Sequence, residues 1–237
     1  MTRQARGGPG AMEALYPFLY ADDSDLSKVL AEVRASTVAK TEEIMDLRRT
    51  VAAREGARLA NCAEDMAARF AAGGRLFAFG NGGSATDAQQ LATLFLNPGK
   101  GKTPLPAFGL ANDTSEVTAL CNDIGVGVVF ARQLAAFGRR EDIAVGLSTS
   151  GNSDNLLHAF AEASRRGMLG VGLAGYEGGR MAELDSIDYL FVAPSSSVHR
   201  IQEAQTTMYH VLWELTLASL DRRQRTSRRR RARQEPK

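Results

Sequence analysis

The stretch that most constrains the fold runs from position 76 to position 84 and contains Leu-Phe-Ala-Phe-Gly-Asn-Gly-Gly-Ser. Its first half has the length and apolar composition of a buried strand, and the residues after Ser84 predict a helix. A glycine turn between a strand and a helix can bind an anion, because backbone N–H groups approach the ligand closely and the helix dipole favours negative charge. The turn lacks the lysine of a Walker A loop, and its glycine spacing does not complete a dinucleotide fingerprint. A turn of this kind can also simply redirect the chain.

A second stretch has the same organisation. The apolar run 143–147 is followed by Ser-Thr-Ser-Gly-Asn-Ser at positions 148–153, and a helix is predicted from Asp154 to about Arg166. One hydroxyl is enough to cap a helix, whereas this turn offers four. A surplus of uncharged donors at the carboxyl end of a strand suits a phosphate monoester, and ligands of open α/β sheets bind at that edge.

Strands and helices alternate along the chain, which predicts an α/β fold with a parallel five-stranded sheet flanked by helices. Strands are expected at 75–79, 105–110, 143–147, 168–173 and 187–192, and helices at 85–96, 115–121, 127–137, 153–166, 178–183 and 199–220. Before the sheet, one helix is expected from about Leu26 and a second from about Val51 to Ala72. We expect residues 1–22 to form a disordered or loosely packed arm, residues 23–220 the folded domain with its N-terminal helices, and residues 221–237 a basic disordered tail.

The two motifs together, GNGGS and STSGNS, resemble the sugar-isomerase (SIS) domain, and within it the sedoheptulose-7-phosphate isomerases. The resemblance continues through Asn122-Asp123, Gly178-Gly179 and the run 200–203, and it covers roughly residues 59–220. It implies ketose–aldose isomerisation of a sugar phosphate through an enediol, and a homotetramer built with the N-terminal helices. It also implies a set of substrate-binding residues: Asn81, Ser84, Asp123, Ser148, Thr149, Ser150, Ser153 and Gln202. For Asp123, a turn or capping role is the alternative.

The residues implied for the chemistry are less complete. His210, eight residues after Gln202, matches the family's catalytic histidine, and the two lie about 80° apart around a helix. On the helix after GNGGS, the family has a histidine and then a glutamate, where this chain has Gln90 and Leu94. Leucine can neither accept a proton nor bind a cation, so isomerase activity is expected to be altered or lost. Substitute bases suggested by the sequence are Glu203, Glu116 and His199.

The resemblance also implies a zinc ion, but its ligands are mostly replaced. The remaining candidates are Gln90, Gln202 and His210. One histidine and two amides suit zinc poorly, because zinc prefers cysteine, histidine and carboxylate ligands. We therefore expect weak or absent metal binding.

Charge is distributed unevenly along the chain. The chain has 237 residues, of which 44% are hydrophobic and 24% charged, and its net charge is +2. From Asp221 to Lys237 there are nine basic and two acidic residues, which leaves 20 basic and 25 acidic residues for the rest. The tail could contact nucleic acid or another acidic surface through Arg228–Arg231, or it could be a solvated segment with no dedicated partner.

The remaining features indicate a cytoplasmic protein. No apolar run approaches a membrane-spanning length, and the first twelve residues lack the apolar segment of a secretory signal. Cys62 and Cys121 have no metal-ligand spacing, so we expect reduced structural thiols. Two functions stay open: a phosphosugar isomerase, or a non-catalytic phosphosugar sensor or assembly module with a protein partner, like a bacterial SIS-domain protein that associates with the replication initiator.

Overall fold

The computed structural model describes the backbone of residues 23–234 and the side chains of residues 26–226. The prediction for residues 1–22 therefore lies outside the described residues. The helices are α1 (Asp23–Ala71), α2 (Gly83–Leu96), α3 (Thr114–Asp123), α4 (Val129–Phe137), α5 (Asp154–Arg165) and α6 (Val198–Gln234). The strands are β1 (Leu76–Gly80), β2 (Ala107–Gly109), β3 (Ile143–Leu147), β4 (Leu169–Gly175) and β5 (Tyr189–Ala193). Two 3-10 helices cover Val126–Val128 and Gly179–Glu183.

The five strands form one parallel sheet, as predicted, and their order in the sheet is β2-β1-β3-β4-β5. Strands β1, β3 and β4 are buried along their whole length. Continuous apolar strands are typical of a parallel sheet that helices cover on both faces. The order in which successive strands are added to the sheet reverses between β1 and β3, because β2 lies on one side of β1 and β3 on the other. The last residues of these two strands, Gly80 and Leu147, are paired in register. Crevices at such a reversal are where open α/β sheets bind ligands.

Aromatic rings fill the layer between the sheet and helices α4 and α5. Phe79 on β1 packs against Phe130 and Phe160, with ring centroids 5.5 and 5.3 Å away. Gly146 on β3 leaves the room for this contact, because a Cβ there would lie 2.5 Å from the Phe160 ring. These rings are buried at the centre of the core, and their contact fixes the middle of α5 against β1 and β3.

The amino-terminal end of the sheet is closed by Asp142, which is 1% exposed. Its carboxylate accepts hydrogen bonds from the backbone N–H groups of Arg75 and Arg139, at 2.8 and 2.9 Å. The Arg75 guanidinium pairs with the same carboxylate at 2.7 Å. Because each partner comes from a residue at the start of β1 or just before β3, the network ties these two strands together.

Two expectations about the helices are wrong. One continuous 49-residue helix, α1, replaces the two predicted N-terminal helices. Its interior contains no proline, and its single glycine, Gly56, is tolerated in a helix at a modest energetic cost. The structure also continues α6 to Gln234, whereas the sequence predicted a disordered tail from residue 221. No proline or glycine interrupts residues 221–234, and arginine is a good helix former.

The chain divides into two compact units, residues 1–45 and 46–237. In the first unit, the described part of α1 exposes the apolar side chains of Leu26, Leu30 and Val33. The second unit holds the sheet and its helices. Cys62 is buried, Cys121 is half-buried, and both are free thiols as expected. None of the described helices is long and apolar enough to cross a membrane.

Candidate functional site

The two predicted anion-binding turns lie side by side at the carboxyl ends of β1 and β3. Gly82 has a φ of 53° and immediately precedes α2, a conformation that glycine adopts without strain. At Gly80 a Cβ would lie 2.6 Å from the Ser84 carbonyl oxygen. The glycines thus let β1 turn directly into α2, and Ser84 lies in the first turn of that helix with 5% exposure.

The second turn is held in shape by its own polar groups. The Ser148 hydroxyl accepts a hydrogen bond from the Gly151 N–H at 2.9 Å, and the Ser150 hydroxyl accepts one from the Asn152 N–H at 3.3 Å. Gly151 has a φ of 68°, and a Cβ there would collide with the Gly178 carbonyl oxygen. Close contact with the Gly178-Gly179 segment therefore fixes the turn from the side of β4.

Ser153 distinguishes helix capping from ligand binding as the role of the four hydroxyl groups in the second turn. It is the N-cap residue of α5, yet its side chain makes no capping hydrogen bond. Its hydroxyl is therefore not used to cap the helix, which favours the ligand-binding interpretation. Thr149 and Ser150 are half-buried beside it.

An amide pair joins the two turns. Asn81, after β1, and Asn155, at the start of α5, exchange two hydrogen bonds of 2.9 Å. Asn155 is 5% exposed. The expected substrate residue Asn81 therefore contacts the start of α5 through its side chain, and this contact joins the two turns that are predicted to bind an anion.

Helix α6 passes over both turns. Gln202 lies next to Gly83, where an added Cβ would be 2.5 Å from its Nε2. Gln205, which is fully buried, donates a hydrogen bond of 2.8 Å from Nε2 to the Ser148 carbonyl oxygen. The expected residue Gln202 is thus placed at the first turn, and Gln205, one helical turn later, supports the second.

Asp87 is the site residue that the sequence analysis missed. It lies one turn after Ser84 on α2 and is half-buried. Burial raises the pKa of its carboxyl group, and a hydrogen bond from Gln202 opposes that effect. Its Oδ2 atom is buried without a hydrogen-bond partner among the described residues. A carboxylic acid three residues after the serine expected to bind phosphate is the available signal in the sequence, since such positions on a helix share a face.

His210 lies in an aromatic setting on α6. Its ring is half-buried and stacks on Tyr209, with centroids 5.2 Å apart, and it meets the edge of Trp213 at 6.3 Å. The Tyr209 ring is fully buried, and its hydroxyl has no hydrogen-bond partner within the described part of the chain. Burial raises the pKa of Tyr209, the nearby Thr206 hydroxyl lowers it, and the charge of Asp87 raises it. Tyr209 therefore links the surroundings of Asp87 with those of His210.

The other expected residues lie apart from this group. Gln90 and Asp123 are exposed, and Asp123 accepts a hydrogen bond from neighbouring Asn122 at 3.0 Å. Leu94, two turns beyond Asp87 on α2, is half-buried.

None of the three substitute bases is positioned as Asp87 is. His199 is exposed. Glu203 pairs with Arg200 at 2.6 Å. Glu116 lies in the first turn of α3, where its N–H donates to Asp113.

The residues present do not form a zinc site. The candidate ligands Gln90, Gln202 and His210 provide one imidazole and two amides, a set that zinc disfavours. Within residues 26–226, no group of three or more His, Cys, Asp or Glu side chains could hold a metal ion. We therefore derive no step of the chemistry from a metal.

Comparison with known proteins agrees with this arrangement. The SIS domain model matches residues 41–175. A phosphoheptose isomerase of Desulfovibrio desulfuricans is 46% identical over 171 residues, which cover 72% of this chain and 80% of that protein. The solved structure of the phosphoheptose isomerase from Neisseria gonorrhoeae superposes with a TM-score of 0.72 at 33% identity, over 78% of this chain and 98% of that one. The Francisella tularensis phosphoheptose isomerase gives a TM-score of 0.74 at 28% identity, with the same coverage of both chains. The chain therefore belongs to the SIS-domain family and is similar there to the phosphoheptose isomerases.

Proposed function

We propose that the protein binds a ketose phosphate of the sedoheptulose 7-phosphate type and isomerises it to the aldose phosphate. The observation that carries the proposal is the meeting of the glycine-rich turn at the end of β1 with the hydroxyl-rich turn at the end of β3, with Asp87 and Gln202 directly beside them. Ser84, Ser148, Ser150 and Ser153 would hold the phosphate through hydroxyl and backbone donors. The glycines and the unused Ser153 hydroxyl support this assignment.

The isomerisation needs a group that takes a proton from C1 of the ketose and returns one to C2. It also needs a group that serves the neighbouring oxygens. Asp87 and His210 are the pair we assign to these roles. A carboxylate whose pKa is raised by burial is a stronger base than an ordinary aspartate, and general bases work best when their pKa approaches the working pH. Asp87 would thus compensate for the leucine at position 94.

A second candidate function is phosphosugar binding without turnover. The replacement of the family's histidine and glutamate by Gln90 and Leu94 favours it. Both candidates need the same phosphate site, so a protein that bound no sugar phosphate there would contradict both. Double substitution Ser84→Ala with Ser150→Ala should abolish phosphosugar binding measured by calorimetry, and unchanged affinity would contradict the pocket assignment.

The deciding experiment is an isomerase assay of the purified chain on sedoheptulose 7-phosphate, with and without added Zn²⁺, beside His210→Ala. We expect turnover that does not depend on zinc and falls roughly 10²–10⁴-fold in the variant, the usual contribution of a positioned acid–base group. His158→Ala is the matched control, because His158 is on α5 and its Nδ1 is 2.8 Å from the Gly127 carbonyl oxygen. Saturable binding with no turnover would instead establish the non-catalytic function.

We also infer a homotetramer in the cytoplasm. Leu26, Leu30 and Val33 recur at helical spacing on α1 and are 54%, 59% and 57% exposed. An apolar groove between α1 and α6, lined by residues such as Val51, Leu59 and Met208, is a second surface of this kind. Exposed apolar surfaces on long helices commonly mediate association. Leu30→Glu with Val33→Glu should give a smaller species in analytical ultracentrifugation, whereas Ser36→Glu on the same helix should not. An unchanged mass in the double variant would contradict this interface.

A further inference from the structure

The C-terminal part of α6 carries an unusual concentration of positive charge. Between Asp221 and Gln234 the helix contains eight arginines and one acidic residue, Asp221. The rest of the chain is acidic overall, with 20 basic and 25 acidic residues before Asp221. The positive charge is therefore gathered in one element, and neither phosphate binding nor isomerisation uses it.

The helix geometry places these arginines around the whole axis. At about 100° per residue, positions 222–233 leave no face of the helix without an arginine position. Among the described side chains of this segment, Arg222 pairs with Glu64 at 3.4 Å, and both side chains of the pair are exposed. A helix that is polar on every side gains little by packing on the core, so this segment is suited to contact another molecule.

The loop 97–106 adds positive charge beside α6, near the start of the arginine-rich segment. Lys102 and Arg223 line one cavity of about 320 Å³ where α6 runs beside the loop 97–106. The Lys102 ammonium group lies 4.4 Å from the centre of the Trp213 ring, a cation–π contact that holds it against α6. Lys100 is exposed in the same loop. The basic surface therefore combines two separate segments, the loop and the helix.

We propose that this surface, Lys100, Lys102 and the arginines of residues 222–233, binds the phosphate backbone of double-stranded nucleic acid without sequence specificity. From Arg222 to Arg233 the helix is about 17 Å long, and a DNA duplex presents about ten phosphates over that length. Whichever face of the helix meets the duplex, some of the eight arginine positions therefore lie opposite phosphates. Arginine binds phosphate through two parallel N–H groups, which suits the backbone of either DNA or RNA.

The composition of the segment disfavours two other partners. Helices that lie on a membrane surface bury a face of Trp, Phe or Leu, and residues 221–237 contain only alanine and proline as apolar residues. Proteins that bind single strands stack bases on aromatic side chains, and the same residues contain no aromatic ring. Duplex binding through charge alone needs neither feature.

The test is fluorescence anisotropy of the full chain with a labelled DNA duplex of about 20 base pairs, titrated between about 50 and 200 mM salt. The variant replaces four arginines by glutamine: Arg228→Gln, Arg229→Gln, Arg230→Gln and Arg231→Gln. We expect binding to weaken roughly 10- to 100-fold at about 100 mM salt. The slope of log K against log salt should fall by about 2, because successive helix positions are about 100° apart, so that about two of the four positions can face one duplex, and each lost phosphate contact removes about 0.9.

Two control variants isolate the cause. Replacing the same four arginines by lysine keeps the charge and should leave affinity within about threefold, because the attraction depends mainly on charge. Removing four exposed arginines elsewhere should also have little effect: Arg34→Gln, Arg49→Gln, Arg54→Gln and Arg132→Gln. Equal loss in this second control would overturn the proposal, and so would equal loss in the lysine variant. Absence of DNA binding at about 50 mM salt would overturn it as well, whether or not the protein binds vesicles containing phosphatidylserine.

Discussion

The two ends of the sheet differ in the hydrogen-bond partners that each provides for an aspartate. At the amino-terminal end, Asp142 accepts two backbone hydrogen bonds and pairs with Arg75. At the carboxyl-terminal end, Asp87 has one amide partner, Gln202, and an Oδ2 atom with no partner in the described part of the chain. Buried polar groups are normally hydrogen-bonded, so an exception marks a place where stability is not what the residue was selected for.

Neighbouring residues follow the same division. Near the amino-terminal end, Tyr189 at the start of β5 donates a hydrogen bond of 2.6 Å to Asp65 on α1. Near the carboxyl-terminal end, the Gln205 Oε1 and Tyr209 hydroxyl atoms are buried and, like Asp87 Oδ2, lack partners among residues 26–226. At the amino-terminal end, Asp142 and Tyr189 thus have partners, although the buried Ser186 hydroxyl lacks one within the described residues. The carboxyl-terminal end keeps two buried acceptors and a hydroxyl beside the proposed ligand site.

The largest effect that this comparison predicts is on activity. Asp87→Asn should lower kcat roughly 10²–10⁴-fold, because the amide cannot take up a proton. The same variant should raise the melting temperature at pH 7. A pKa raised by burial means that the protonated form favours folding below pH 3.8, the ordinary value, and that this contribution is lost as pH rises through the folded-state pKa. The charged carboxylate therefore costs stability at pH 7, and asparagine removes that cost.

Thermal unfolding and the isomerase assay together check this prediction. Asp113→Asn, an exposed N-cap residue of α3, is the matched control and should leave kcat unchanged. If Asp87→Asn lowered both the melting temperature and the activity, Asp87 would be a structural residue like Asp142, and the contrast between the two ends would not hold. In the wild type, activity should decline on the acid side at a pH above the ordinary range of an aspartate.

The next effect concerns stability. Asp142→Asn should lower the free energy of unfolding by about 3 kcal/mol, because it leaves the Arg75 guanidinium without its buried counter-charge. Urea unfolding measures this change. Asp46→Asn is the control: it breaks an exposed pair with Arg49 in which both side chains are more than two-thirds exposed, and such pairs contribute about 0–1 kcal/mol. Equal losses in the two variants would mean that the Asp142 network has no special role.

The sequence predicted the strands and turns at the carboxyl-terminal end of the sheet well. The apolar runs, the glycines and the serines specify β1, β3 and the turns that follow them locally, since strand, turn and helix signals lie within a few residues of one another. The predicted sheet, its strands and its SIS-type architecture are confirmed. The continuity of α1 was not predicted, although no proline or glycine lies in residues 46–50 between the two predicted helices; in the structure these residues continue the helix.

The sequence could not predict which polar groups lack partners. Asp87, Gln205 and Tyr209 are distant in the chain, and only the crossing of α2 and α6 brings Gln202 to Asp87 and Gln205 to Ser148. The substitute bases suggested by the sequence, such as Glu203, were chosen by nearness in the chain. Contacts between residues far apart in the chain determine the surroundings of a candidate base instead. They favour Asp87 on α2, which no local sequence pattern distinguishes from a surface aspartate.

The smallest predicted effect concerns the amino-terminal end of the sheet, where stability should depend on pH. The hydrogen bond to Asp65, together with burial, raises the pKa of Tyr189 from 10.0 to about 12. This contribution to stability is therefore complete below pH 10 and is lost as pH rises through about 12. Tyr189→Phe should cost about 1 kcal/mol at neutral pH, the net value of one hydrogen bond. It should also remove the decline in stability between pH 10 and 12 that the wild type shows. Tyr176→Phe, at an exposed tyrosine, should keep that decline. An unchanged alkaline profile in Tyr189→Phe would show that the hydrogen bond to Asp65 does not stabilise the amino-terminal end, and the contrast would then rest on Asp142 alone.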